Sequence, residues 1–213
     1  MLFLNTNSLR NKIYILLILI PLLLISDQLQ AKETKLLILG DSLSAAYGLK
    51  QEQGWVSLLQ NAWQSEDIII INGAISGETT DGALARLPRL LKQHSPTHIF
   101  VELGGNDGLQ GHPVSKMRNN LEQIIQLSQK SEVIVILQQM QIPTNYGKRY
   151  TQMFTNTYAD LATKYELTLL SFFLENIALD KSLMQRDGIH PNAEAQHIIA
   201  KDMQKTLGDI IFP

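Results

Sequence analysis

From residue 32 onward the chain alternates short apolar runs with stretches of mixed polarity. Lys35–Leu39 stops at Gly40-Asp41-Ser42, Ile68–Ile71 at Asn72-Gly73, and His98–Leu103 at Gly104-Gly105-Asn106-Asp107-Gly108. Val133–Leu137 and Thr168–Leu170 complete the series. Uninterrupted apolar runs closed by turn residues predict buried parallel strands. Between them apolar positions recur at helical spacing: 55, 56, 58, 59, 62 and 63 within Trp55–Gln64, and Met117, Leu121, Ile124 and Ile125 within Val114–Lys130. A further helix is predicted through Ala83, Leu84, Leu87, Leu90 and Leu91, with Thr79 or Thr80 as its cap; Pro88 inside it should break or kink it. The same pattern predicts helices around Arg149–Tyr165 and from near Asn192 to near Leu207, after an irregular stretch from Phe172 to Pro191. Strands alternating with helices predict one α/β domain over residues 32–213, with a five-stranded parallel sheet covered on both faces.

The first thirty-one residues fall outside that alternation. Arg10 and Lys12 precede the apolar run Ile13–Ile25, and a polar stretch ends at Leu29-Gln30-Ala31. A basic start, a short apolar middle and a small terminal residue predict a signal peptide at residues 1–31 and a periplasmic or secreted protein. The run is short of the ~20 residues a spanning helix needs and contains Pro21. No stable membrane span is expected once the segment is removed; an uncleaved anchor is the alternative.

Composition narrows the chemistry. The 213 residues are 45% apolar and 18% charged, with a formal net charge of −2. Without residues 1–31, which hold Arg10, Lys12 and Asp27, 16 basic and 19 acidic side chains remain. Nothing in this balance marks a nucleic-acid partner. With no cysteine, disulfides, thiolate metal sites and a cysteine nucleophile are all excluded.

Ser42 follows the first strand at the sheet edge where α/β proteins bind ligands, and is a candidate nucleophile; Asp41 and Ser42 as simple caps are the alternative. Gly77 lies just before a helix N-terminus and can offer a backbone N–H to an anion. Asn106 brings an amide with two donor hydrogens. Asp187 and His190, three residues apart on a loop, allow the carboxylate to hold the ring through Nδ1 and leave Nε2 as general base. Each feature alone has a structural explanation. Together they supply a nucleophile, a base with its orienting acid, and oxyanion donors, the parts acyl transfer needs.

These four blocks, in order over essentially all of residues 32–213, resemble the SGNH, or GDSL-type, hydrolases. Ile75-Ser76-Gly77-Glu78-Thr79, Leu84-Ala85-Arg86-Leu87-Pro88 and Val101–Leu109 are similar to its exported bacterial acyl thioesterase, lysophospholipase and arylesterase branch. The resemblance implies a three-layer, flavodoxin-like fold with strand order 2-1-3-4-5. It also implies Ser42 as nucleophile, His190 as general base and acid, and Asp187 as the residue orienting His190. Ser42 N–H, Gly77 N–H and the Asn106 amide would form the oxyanion hole, with Asp41 as a supporting acceptor. Ser44, where the Gly-x-Ser-x-Gly elbow of α/β-hydrolases needs glycine, disfavours that other fold.

The implied activity is hydrolysis of a small acyl ester or thioester through an acyl-enzyme, with no metal or other cofactor and with a monomer expected. Gly108 and Leu109, and Ile142 and Pro143 after the fourth strand, are candidate walls of the acyl site. Deacetylation of a sugar is the rival within the family. A non-catalytic binding protein, and a metallohydrolase built from Asp41, Asp107, His112 and His190, are rivals of other kinds.

Overall fold

An apolar run without polar alternation is stable only when covered on both faces, and strand β1 (Thr34–Gly40) is covered: Leu36, Leu37, Ile38 and Leu39 have no exposed surface. The computed structural model describes residues 33–212; the segment expected to be a signal peptide lies outside the described residues. Strands β2 (Ile68–Asn72), β3 (His98–Glu102), β4 (Ile134–Gln138) and β5 (Thr168–Leu170) join β1 in a parallel sheet of order β2-β1-β3-β4-β5. Beyond their first residues β3 and β4 are as thoroughly buried as β1, whereas on the edge strand β2 only Ile68 is buried.

Helices α1 (Trp55–Ala62), α2 (Thr80–His94), α3 (Gly105–Leu109), α4 (Val114–Lys130), α5 (Lys148–Tyr165) and α6 (Ala193–Ile211) complete the architecture. Crossovers between parallel strands are right-handed. The β1-to-β2 connection steps one way along the sheet and the later connections step the other, so their helices lie on opposite faces. Accordingly α1 packs with α6, while α2, α4 and α5 pack in series. The result is the three-layer α/β fold that the resemblance implied. Chains leaving β1 and β3 diverge toward opposite faces and open a crevice at the C-terminal ends of these strands.

Two local details differ from expectation. Pro88 does not break α2, which runs without interruption from Thr80 to His94. Pro88 lies on the exposed side of the helix while Ala83, Leu87 and Leu90 are buried on the other. The proline ring therefore stands on the side away from the core, and the apolar contacts of the opposite side hold the helix together. Nor does a threonine side chain cap α2. Thr80 instead donates its N–H (2.9 Å) and its hydroxyl (2.7 Å) to the two carboxylate oxygens of buried Asp107 on α3. The capping anion comes from the third block, not from the helix's own flank, and ties the Gly77 segment to α3.

Asn192 caps α6 as its position suggests, accepting from the N–H groups of Glu194 and Ala195. Buried Gln196 accepts the N–H of Trp55 at 2.8 Å, fastening α6 to the start of α1. No helix among the described residues is long and apolar enough to cross a membrane.

Candidate active site

After β1 the chain turns at once. Asp41 Oδ1 accepts the N–H of Leu43 (3.0 Å), and Ser44 and Ala45 donate back to the Asp41 carbonyl. This tight turn leaves Ser42 part-exposed at the sheet edge. Opposite it, the end of the stretch expected to be irregular closes into a narrow hairpin. Gln185 N–H donates to the His190 carbonyl (2.7 Å), Asn192 N–H donates to the Leu183 carbonyl (2.8 Å), and Met184 bridges Pro191. Such a short pairing leaves no periodicity to read. Its tip carries Asp187, Gly188, Ile189 and His190.

At that tip Asp187 Oδ1 accepts the N–H groups of Ile189 (2.9 Å) and His190 (3.0 Å). Oδ2 lies 2.7 Å from His190 Nδ1, and His190 Nε2 lies 2.9 Å from Ser42 Oγ. An ionised carboxylate only accepts, so Nδ1 carries the proton and Nε2 presents its lone pair to the serine hydroxyl. Partial burial opposes ionisation of Asp187, but the two N–H groups and the His190 ring outweigh it and hold the carboxyl at about 2.

Asn106, on α3 directly after β3, enters from the other side. Its Nδ2 donates to Asp41 Oδ2 (3.0 Å) and to the Glu78 carbonyl (2.9 Å). The carbonyl is a pure acceptor, which fixes the amide with its NH₂ on this side. Both amide hydrogens are thus engaged, and an incoming oxyanion has to share or displace one partner. By contrast, neither the Ser42 N–H nor the Gly77 N–H has an acceptor among the described residues. Around Gly77, which takes φ +79°, no atom lies within 4 Å of where a Cβ would stand. Ahead of α3, Gly104 takes φ +106°, and a Cβ there would come 2.3 Å from the Tyr158 hydroxyl, so only glycine makes the turn out of β3.

Behind the turn lies a group that sequence reading missed. Glu102, the last residue of β3, is fully buried, and its Oε2 accepts the Asp41 N–H (3.2 Å) and the Ser44 hydroxyl (2.8 Å). Its Oε1 has no partner. Burial, then the nearby Asp41 charge, push the Glu102 carboxyl well above the usual range, and burial likewise pushes Asp41 up to about 6. An acid inside an apolar strand run was the available signal.

A carboxyl whose pKa is raised by folding binds its proton more tightly in the folded chain. Stability therefore falls as pH rises from the ordinary carboxylate value of ~4.3 toward the raised one. Glu102→Gln removes this ionisation and keeps an acceptor for Asp41 and Ser44. Its stability relative to wild type is expected to be higher at pH 8 than at pH ~4, by on the order of 1–3 kcal/mol. Thermal unfolding at the two pH values measures it.

A cavity of about 430 Å³ opens beside Ser42 and His190, within the ~300–1,000 Å³ range of small-molecule sites. Leu109, Ile142 and Pro143 line it, together with Met140. Gly108 does not. It is buried behind the wall, where a Cβ would come 2.7 Å from Ile142 and 2.9 Å from Phe154, so its role is to let α3 pack closely. The opposite wall was missed: Phe172, Leu174, Ala178, Met184 and Ile189 come from the stretch before α6. Its density of apolar residues without helix or strand spacing was the available clue.

His112 stands apart, one-third exposed, with Nδ1 4.0 Å from Asp107 Oδ1. Asp41, Asp107, His112 and His190 do not form a metal cluster; among the described residues no three acidic or histidine side chains do.

A model of the GDSL-like Lipase/Acylhydrolase family matches residues 38–198. An arylesterase of Vibrio mimicus is 45% identical over 194 residues, covering 90% of this chain and 96% of the relative. The Thioesterase 1/protease 1/lysophospholipase L1 of Escherichia coli K12 is 44% identical over 190 residues, covering 89% and 90%. The crystal structure of the psychrotrophic esterase EstA from Pseudoalteromonas sp., inhibited by monoethylphosphonate, superposes with a TM-score of 0.82 at 46% identity, covering 84% of this chain and 100% of that one.

Proposed function

The chain belongs to the GDSL-like lipase/acylhydrolase family, and we propose that it hydrolyses acyl esters and thioesters through a covalent acyl-enzyme formed on Ser42. The observation that carries this reading is the continuous relay Ser42 Oγ–His190 Nε2, His190 Nδ1–Asp187 Oδ2 at 2.9 and 2.7 Å. Ser42 Oγ bonds to the substrate carbonyl carbon as its proton passes to Nε2. The carbonyl oxygen becomes an oxyanion facing the unpaired N–H groups of Ser42 and Gly77, with the Asn106 amide as third donor. Collapse expels the alcohol or thiol, which takes the proton from Nε2. Water then attacks the acyl carbon with His190 as base, releasing the acid and restoring Ser42. Asp187 keeps the imidazole in the tautomer both steps require.

The substrate class follows from the cavity. Its walls are mainly aliphatic and aromatic, which suits an acyl chain better than the many hydroxyls of a sugar. The names of the relatives, arylesterase and thioesterase/lysophospholipase, agree with this choice. Residues 1–31 then serve as an export signal ahead of a hydrolase domain at 32–213, placing the enzyme in the periplasm or outside the cell.

A series of p-nitrophenyl esters from acetate to laurate tests the acyl reading. Each methylene that enters an apolar cavity contributes up to ~0.8 kcal/mol, so kcat/KM is expected to climb roughly two- to fourfold per methylene until the cavity is full. Highest activity on acetate would favour the deacetylase reading instead.

A further inference from the structure

The relay described above accounts for the two nitrogens of His190 but not for what holds the face of its ring. Tyr47 lies against that face: ring centroids are 4.2 Å apart and the planes are inclined by 32°. Tyr47 is half exposed, at 48%, and its hydroxyl has no hydrogen-bond partner among the described residues. Neither core packing nor a polar contact explains it.

The backbone around Tyr47 is unusual. Ala46 takes φ +56° and Gly48 takes φ +72°, so left-handed residues flank the tyrosine on both sides. For alanine this conformation is uncommon and strained, and strain of this kind persists only where surrounding structure enforces it. Gly48 has a second constraint, since a Cβ there would come 2.4 Å from Gln185 Oε1.

Gln185 links this turn to the segment that carries His190. Its Nε2 donates to the Tyr47 carbonyl (2.8 Å) and to the Pro191 carbonyl (3.1 Å), while its N–H donates to the His190 carbonyl (2.7 Å). One side chain therefore fastens the Tyr47 turn to the hairpin that carries His190. The contact between Gln185 and Tyr47 joins residues 138 positions apart, beside the reacting atoms.

We propose that Tyr47, fastened by Gln185, is a positioning residue for His190. Its ring forms the surface on which the imidazole rests with Nε2 aimed at Ser42 Oγ, and it faces the imidazolium that forms when His190 takes the serine proton. The proposal rests on the reading of His190 as general base. An aromatic face attracts a cation more than a neutral ring, so its contribution appears when the proton moves and not when substrate binds. Removing it lowers kcat and kcat/KM together and leaves KM unchanged.

The test compares wild type, Tyr47→Leu, Tyr47→Phe, Gln185→Ala and Ser42→Ala. The readouts are kcat and KM on p-nitrophenyl butyrate, the rate of covalent labelling by a fluorophosphonate, and thermal unfolding. Labelling stoichiometry counts competent sites, so kcat refers to folded enzyme. Tyr47→Leu is expected to lose roughly five- to thirtyfold in kcat, with a parallel fall in labelling rate and an unchanged KM. Tyr47→Phe, which keeps the ring, should stay within about twofold of wild type; Gln185→Ala should fall between the two.

Tyr47→Leu with wild-type kcat overturns the proposal. So does a raised KM with kcat intact, which would place the ring against substrate, or a Tyr47→Phe variant as slow as Tyr47→Leu. Ser42→Ala separates this failure from that of the underlying reading. If Ser42→Ala still hydrolyses ester, the serine mechanism itself is wrong, whatever Tyr47 does.

Discussion

Ser42→Ala is expected to abolish ester hydrolysis, lowering kcat by ~10⁶, the scale at which a nucleophile is lost in a comparable serine hydrolase. The reason is chemical. Without Oγ no acyl-enzyme forms, and His190 Nε2 has no serine hydroxyl at 2.9 Å from which to take a proton. The turn that carries Ser42 does not depend on its hydroxyl. It is held by Asp41 Oδ1 on the Leu43 N–H and by Ser44 on Glu102, so the fold and the cavity should survive. The variant is expected to unfold at the wild-type temperature, to bind substrate, and to lose fluorophosphonate labelling entirely. Steady-state hydrolysis and mass spectrometry of the labelled protein measure both. Retained esterase activity would show that another group performs the attack.

The second large effect is expected at Asp187→Asn, by roughly 10⁴ in kcat, as when the triad aspartate of a serine protease is replaced by asparagine. Here the reason is which nitrogen carries the proton. Asp187 Oδ1 serves two backbone N–H groups while Oδ2 faces His190 Nδ1. An asparagine that keeps its oxygen for the two N–H groups must point its NH₂ at Nδ1. Nδ1 then becomes the acceptor, Nε2 carries the hydrogen, and the ring has no lone pair for the serine proton. KM should change little, because Asp187 is not among the cavity-lining residues. Because Asp187 is held at about 2, the fold favours its ionised form. Its contribution is present above the ordinary carboxylate range and is lost only as pH falls from ~4 toward 2. Activity lost above that range has a different cause.

Much of this was legible along the chain because it is local or periodic. The apolar runs Leu36–Leu39 in β1, Ile99–Val101 in β3 and Val135–Leu137 in β4 signal burial on both faces without reference to any partner strand. Asp187 and His190 sit three residues apart, so a single tight turn brings carboxylate and ring together. Asn192 as a cap is likewise decided by its own neighbours. Where local signals misled, a distant group had taken over. Pro88 is tolerated because the opposite side of α2 is buried, and Thr80 is paired with Asp107 rather than capping its own helix.

The sequence by itself determined the five strands and the five longer helices, the four segments that hold the chemistry, and the aspartate–histidine turn; the short helix α3 was not foreseen. Only the tertiary structure decided the order of the sheet and the contact between Ser42 and His190 across 148 residues. It also decided the engagement of both Asn106 hydrogens, the buried Glu102 behind Asp41, the second wall of the cavity, and the Tyr47 ring against His190. The physical reason is the range of the interactions. Propensity, periodicity and turn chemistry act over a few residues and can be read locally. A contact between distant segments depends on which strands pair, in what register, and on which face each connection returns. Those choices are made by burial of the whole core, and no single stretch of sequence records them.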